Sequence, residues 1–395
     1  MGVGKDRISE LSDPILHHIL CFLPSKCAVR TSILSKRWRY LYPFIPILDF
    51  RNWRSIKNNC DLEANRFRNF VDRILNLPDM PNIQKFCLDV DVTGPLDSSW
   101  IHAWIDTVIR RKVEELILII DMDDEIYFPP CFFTCQTLTI LDLEIISTIE
   151  LPESIYFPKL KILRLKYFVF ADENMTQKFF SNCPVLEELT LTRCSWLDME
   201  VLCISAPALK RLFITGPSVD GCDGLDDCKL NIYAPSLLSL RYHEGISKDY
   251  SLHSFPSLLD ADIDFIVDAV PDITGIVGRR AIKLLEKLTN VKLLKMSGDT
   301  FEGFEEYLNN SGGWKLNLVP QFLLLHLKSV EFKEFYGHRR ELLVVKLFLK
   351  NAPVLQWMTI TSSSFMSENL KNKMEVYDQL LLFPRGSTSC VVKFS

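Results

Sequence analysis

The sequence predicts an α/β chain in which a small all-helical N-terminal bundle leads into an irregular solenoid built on a parallel sheet, closed by an α+β C-terminal cap. Three observations carry that prediction. A short motif, Pro-x-Leu-x-x-Leu-x-Leu with variations, recurs from residue 83 onward. Amphipathic helical stretches fill the longer gaps between its copies. Ahead of it, residues 13–43 read as three short helices with their own start and stop signals.

The repeat is clearest in FPKLKILRL, CPVLEELTL, APALKRLFI, APSLLSLRY, FPSLLDADI and APVLQWMTI. Looser copies are NIQKFCL, KVEELIL, CQTLTILDL, TNVKLLKM and HLKSVEF. Their first apolar positions are Ile83, Val113, Leu138, Leu160, Leu186, Leu209, Leu237, Leu258, Val291, Leu327 and Leu355, eleven units spaced 21 to 36 residues apart. The x-Leu-x-Leu alternation is a short strand with one buried face, and the Leu three residues earlier turns into the core just before it. A single unit cannot cover its own apolar face; stacked units can, giving a solenoid with a parallel sheet on its concave side, as in leucine-rich repeats. Phe67, Phe70, Val71, Ile74 and Leu75, and then Ile101, Trp104, Ile105, Val108 and Ile109, follow helical spacing. Ala281, Leu284, Leu285 and Leu288 do likewise, and these stripes are expected to pack on the sheet.

In the N-terminal stretch, Asp13 can cap a first helix with Pro14 at its first position, and Ile15, Leu16, Ile19 and Leu20 form its apolar stripe up to Leu23-Pro24. Ser25 can cap a second helix carrying Ala28, Val29, Ile33 and Leu34. Ser35 can cap a third, with Trp38 and Leu41 one turn apart and Pro43 closing it. So small a bundle has too little core to bury all these side chains, so some must face a partner.

Residues 6–43, DRISELSDPILHHILCFLPSKCAVRTSILSKRWRYLYP, resemble the F-box as found in plant proteins: the Leu-x-Asp start, the Ile-Leu and Leu-Pro pairs and the AVxTSxLSKRW core occur in order. The family usually has Leu-Pro before the Asp, whereas here Ser12 follows Leu11. Residues 326–395 resemble the FBD segment that closes many plant F-box and leucine-rich-repeat proteins. The resemblance thus divides the chain into an F-box (1–50), a helical linker (51–81), leucine-rich repeats (82–325) and an FBD-like segment (326–395). It implies a non-catalytic substrate receptor. The F-box would dock on the Skp-type adaptor of a cullin-RING (SCF) ubiquitin ligase, reaching the cullin and RING subunits through it, and the repeats would hold the protein to be ubiquitinated. By motif position the adaptor-binding residues are Leu11, Ile15, Leu16, Ile19, Leu20, Leu23, Pro24, Leu34 and Trp38, of which Ile19 and Trp38 fit the bundle's own core equally well. A small-molecule receptor on the same scaffold and a scaffold protein that recruits no ligase are the alternatives.

Composition bounds the rest. No apolar run reaches the roughly 18 residues needed to span a bilayer, and MGVGKDRISE has neither the apolar core of a signal peptide nor the Ser or Thr of a myristoylation site. A soluble protein of nucleus or cytoplasm is expected. Its twelve cysteines read as reduced core residues; Cys131 with Cys135 and Cys222 with Cys228 lack zinc-site spacing, and no metal or other cofactor is expected. Adjacent His17 and His18 point about 100° apart on a helix and cannot share an ion. Residues 1–54 carry nine Lys/Arg against four Asp/Glu, +5, leaving −10 for the rest of a chain of net −5. KRWR at 36–39 is the argument for a helix-turn-helix DNA binder, and the Ile/Leu-rich bundle on an acidic body is the argument against nucleic acid. The carboxylates of VDGCDGLDDCK (219–229) lack the order of a calcium loop, and GIVGRR (275–280) reads as a plain helix entry.

Between the strand leucines, alternate residues should face outward on the concave sheet: Ile140, Asp142, Glu144; Ile162, Arg164, Lys166; Glu188, Thr190, Thr192; Arg211, Phe213, Thr215; Ser239, Arg241, His243; Asp260, Asp262, Asp264. Of these, Arg164, Lys166, Arg211, Phe213, Arg241, His243, Asp260, Asp262 and Asp264 are the substrate-binding candidates. The changing sign of charge along the row suggests a partner of alternating charge.

Overall fold

A computed structural model describes residues 8–395 apart from 9, 52, 54–59, 79, 81, 92–97, 122–125, 147–148, 217–223, 226–227, 254, 267–275, 298–299, 301–320 and 368–369. The chain divides into two compact units, residues 1–169 with 182–184, and residues 170–181 with 185–395. The division falls inside the repeats.

In the first unit three short helices, α1 (Asp13–Leu20), α2 (Ser25–Arg30) and α3 (Lys36–Leu41), precede a parallel sheet of five strands. These are β1 (Ile47–Phe50), β2 (Lys85–Asp91), β3 (Glu115–Asp121), β4 (Ile140–Ile145) and β5 (Ile162–Lys166), paired in that order. Helices α4 (Cys60–Leu75) and α5 (Ser98–Arg110) bury the predicted stripes Phe67, Val71, Ile74, Leu75 and Ile101, Trp104, Ile105, Val108. They are tied by the Trp104 indole, which donates to Asp72 Oδ1 at 2.6 Å.

After the two-residue strand β6 (Val169–Phe170), the second unit has its own parallel sheet of β7 (Glu188–Thr192), β10 (Arg211–Thr215), β12 (Ser239–Glu244), β14 (Asp260–Phe265), β15 (Leu293–Ser297), β16 (Ser329–Phe335), β17 (Trp357–Ser362) and β18 (Val391–Phe394), with the two-residue strand β8 (Ser195–Trp196) outside it. A second parallel sheet of three strands, β9 (Val201–Ser205), β11 (Lys229–Tyr233) and β13 (Asp249–Leu252), was not expected from the sequence. Each of its strands leads directly into a Pro-x-Leu turn, at APALK, APSLL and FPSLL. Helix α6 (Glu173–Ser181) fixes the start of β9 through Glu173, whose Oε1 accepts the backbone N–H groups of Glu200 (2.6 Å) and Val201 (2.9 Å). Helix α7 (Ile276–Leu285) has Gly278 within its first turn and buries Ala281, Leu284 and Leu285 as expected. Toward the C-terminus, the helix Arg339–Asn351 is capped by Glu341, whose buried carboxylate accepts N–H groups from Tyr336 and His338.

All eleven first apolar positions of the repeat are fully buried, and in all eleven units the strand starts two residues later. The reason is visible in the backbone. At nine of the eleven units one carbonyl just ahead of the strand accepts two consecutive N–H groups from the next unit. Gln84 O accepts from Glu114 and Glu115, Glu114 O from Thr139 and Ile140, and Thr139 O from Lys161 and Ile162. In the second unit Glu187, Lys210, Leu238, Leu259, Lys292 and Lys328 do the same in turn. The alternating side chains are then set one above another in register, leucines inward.

Two substitutions probe this arrangement. Leu240→Ala removes a side chain buried to 1 % in the middle of β12 and is expected to cost about 2–5 kcal/mol of unfolding free energy in denaturant titration. At Gly216, whose N–H bonds the His243 carbonyl, an added Cβ would lie 2.5 Å from the Glu244 carboxyl carbon. Gly216→Ala is therefore expected to lower stability by about 1–3 kcal/mol through overpacking in the same assay.

Candidate docking surfaces

The N-terminal bundle is closed by a small core of Leu16, Leu20, Ala28, Trp38, Leu41 and Ile45, with Leu11, Leu23 and Tyr42 packed at its margin. Ser35 caps α3 as predicted, its Oγ accepting the Trp38 N–H. The other two caps differ. Asp13 is the first residue of α1 rather than its cap, and its carboxylate instead takes Arg37 Nε (2.8 Å) and Nη2 (2.5 Å), while Nη2 also donates to the Leu11 carbonyl (2.6 Å). Ser25 is the first residue of α2, and its buried hydroxyl accepts the Asp49 N–H at 2.8 Å, fixing the bundle to β1. Strand β1 itself pairs with β2 and so continues the repeat sheet at residues assigned from the sequence to the F-box.

Nine residues were expected on the adaptor face. Ile15, Ile19 and Leu34 are exposed, Leu11, Leu23 and Pro24 are half-buried, and Leu16, Leu20 and Trp38 are buried in the bundle core. On α1, Ile15 and Ile19 form one i, i+4 row and Leu16 and Leu20 the adjacent one; only the second points inward. The largest exposed apolar groups include three that motif position did not select: Phe22 (76 % exposed), Ile33 (85 %) and Tyr40 (71 %), beside Leu34 (69 %). The signal for them was available, since all lie in the same short stretch whose core is filled by six other side chains. Of the KRWR cluster, Trp38 is buried and Arg37 is held by Asp13, while Lys36 and Arg39 are exposed.

The outward faces of the sheets carry the predicted alternation, and register pairs their charges sideways. In the first unit Arg164 lies across from Asp142 (3.9 Å) and Lys166 from Glu144 (2.6 Å), Lys85 bonds Glu115 (3.0 Å), and Arg51 holds Asp49 through two hydrogen bonds. Burial, reinforced by Glu144, raises the Asp142 carboxyl against the pull of Arg164. Burial alone would raise Asp49 too, but the hydrogen bonds from Arg51 prevail and lower it. In the second unit Arg211 pairs with Glu188 (2.9 Å) and Lys295 with Glu331 (2.7 Å). Asp262 gathers three side chains: Lys333 at 3.0 Å, the His243 imidazole at 3.2 Å and Arg241 at 3.6 Å. Arg241 also lies over the Phe213 ring, 5.2 Å from its centroid. Asp260 faces outward beside Asp262, and Asp264 bonds the Ser297 hydroxyl. The changing sign along the row is thus answered within the sheet itself. The acidic cluster at 220–227 lies outside the described residues.

Among the described residues no three His, Cys, Asp or Glu side chains come together as a metal site, and no helix is long and apolar enough to cross a membrane. Ten described cysteines are unbridged, and burial pushes the thiols of Cys87 and Cys228 up to about 11 and that of Cys183 up to about 12, which keeps them protonated and unreactive.

For Asp262, burial favours the neutral form, but the hydrogen bonds and charges of His243 and Lys333 outweigh it and hold the carboxyl well below the usual carboxylate range. A carboxylate lowered in the folded state stabilises above its unfolded pKa and loses that contribution as pH falls through the folded one. Asp262→Asn is expected to cost about 1–2 kcal/mol at pH 7, its partners being a third or more exposed in part. The gap from wild type should narrow steadily below about pH 4 in thermal unfolding across pH.

Comparisons with known proteins agree with this geometry. A family model for the F-box domain matches residues 8–41, one described as FBD-associated F-box protein At5g56370, LRR repeats, matches 101–253, and the FBD model matches 317–360. In Arabidopsis thaliana, F-box/LRR-repeat protein At4g14103 is 32 % identical over 89 % of this chain and 91 % of its own length. F-box/FBD/LRR-repeat protein At5g56420 is 27 % identical over 99 % of each. F-box/FBD/LRR-repeat protein At1g78750 is 29 % identical over 97 % of this chain and 81 % of its own. With an F-box bundle, a leucine-rich parallel sheet and an FBD segment in that order, the chain belongs to the F-box/FBD/LRR-repeat protein family.

Proposed function

We propose that this protein is a non-catalytic substrate-recognition subunit of an SCF-type ubiquitin ligase acting in the nucleus or cytoplasm. The N-terminal bundle binds a Skp-type adaptor, which joins it to the cullin and RING subunits, and the repeat sheet holds the target protein. One observation carries the reading: a three-helix bundle whose core is already filled leaves Phe22, Ile33, Leu34 and Tyr40 more than two-thirds exposed. Large apolar groups displayed at this density on so short a bundle mark a partner site, and aromatic and aliphatic knobs of this kind enter a groove between partner helices. F-box domains in general bind Skp-type adaptors, and the +5 charge of the first 54 residues suits an acidic partner. Ubiquitin transfer in such an assembly belongs to other subunits.

Copurification of the full chain with a Skp-type adaptor tests the reading. The double substitution Ile33→Asp with Leu34→Asp, at exposed positions, should weaken adaptor binding by about tenfold or more and leave the unfolding temperature unchanged. Trp38→Ala should act differently, costing about 3–5 kcal/mol of bundle stability. Wild-type chain that captures no adaptor would refute the assignment.

A further inference from the structure

The outward face of β1–β5 is more than a set of solubilising charges. Besides Ile47 of β1, which packs against the bundle, four isoleucines stand on it, Ile117 and Ile119 on β3, Ile140 on β4 and Ile162 on β5, each half-exposed, and Ile146 just past β4 is 53 % exposed. The register puts Ile119 between Asp89 and Glu144, and Ile117 between Cys87 and Asp142. All four cations described on this face, Arg51, Lys85, Arg164 and Lys166, already have the carboxylate partners given above. With Asp89 and the exposed Asp121 counted beside Asp49, Glu115, Asp142 and Glu144, the described face has six carboxylates to four cations and is net acidic by two. The surrounding sequence has the same sign: residues 55–325 hold 26 Lys/Arg against 40 Asp/Glu, a net −14.

We infer that this face binds a segment of the target protein that carries aliphatic side chains between lysines or arginines. The inference rests on the ligase reading above and specifies the class of target. Aliphatic groups of the segment would cover the isoleucines, removing apolar surface from water. Its cations would meet Asp121 and the rims of Asp142 and Glu144. A segment flanked by carboxylates would bring like charge against a face with no cation left to answer it. The wider negative field raises the encounter rate of a basic segment and does so less as salt is added.

The test uses the full chain copurified with its adaptor and three fluorescein-labelled synthetic peptides followed by fluorescence polarisation. One has a central Ile-Val-Ile flanked on each side by two lysines, the second has glutamates for the lysines, and the third has serines for the three apolar residues. The lysine peptide is expected to bind at least about tenfold more tightly than either of the others. Ile117→Ser with Ile119→Ser should reduce its affinity about tenfold, and Asp121→Asn about threefold, with unchanged unfolding temperatures because all three positions reach solvent. Equal binding of the lysine and glutamate peptides, or a serine variant that binds like wild type, would overturn the inference. So would a concentration-dependent dimer lost in that variant, since a second copy would then be the occupant. Adaptor retained without peptide preference defeats this inference alone; peptide preference without adaptor defeats the ligase reading alone.

Discussion

Everything in the repeat region depends on an apolar face that no unit can bury by itself. Each unit contributes one inward residue before its strand and two or three within it, and these reach zero exposure only between neighbours. The carbonyl that accepts two successive N–H groups from the following unit fixes where the next strand begins. From that one backbone arrangement comes the register, and from the register come both the inward columns of leucine and the outward rows of charge.

The N-terminal bundle obeys the opposite constraint. It is too short to bury what it carries, and the division between buried and displayed side chains is made by helix geometry. Leu16 and Leu20 lie on the inward row of α1 with Trp38 against them, while Ile15, Ile19 and Phe22 are left outside. The bundle is then held to the sheet by the Ser25 hydroxyl under the Asp49 N–H and by Ile47 of β1 packed against its core. Docking surface and repeat scaffold are therefore joined through a short connection in which the last turn of the bundle runs straight into β1.

Much of this was legible in the sequence, and the exceptions have physical causes. The eleven units were found because Leu spacing alone marks a strand two residues on. Strand β1 was missed although YPFIPILDF fits the repeat with Ile45 at its first apolar position, because the stretch adjoins the bundle and was assigned to it, and β9, β11 and β13 because VLCIS, KLNIY and DYSL look like spacer sequence between copies of the motif. In the bundle, periodicity identified two apolar rows on α1 but not which one faces in, since both have i, i+4 spacing; that choice is made by the packing of Trp38. Exposed Ile33 and Tyr40 carry no motif signature at all. On the sheet face, residue alternation correctly placed Arg164, Lys166, Arg241 and Asp262 outward, but the sequence does not show which strands are neighbours in which register. The same charges that read as a template for a partner are, once aligned, each other's counterions.

The doubled carbonyl acceptor also separates two things that are usually linked in a folded chain. Because only the residues flanking each strand set the stacking, whatever lies between one strand and the next is free to differ in length, and it ranges here from a tight return to a full helix. Such a scaffold absorbs insertions and deletions without losing alignment. A return of altered length changes the surface it presents without displacing the leucines beneath.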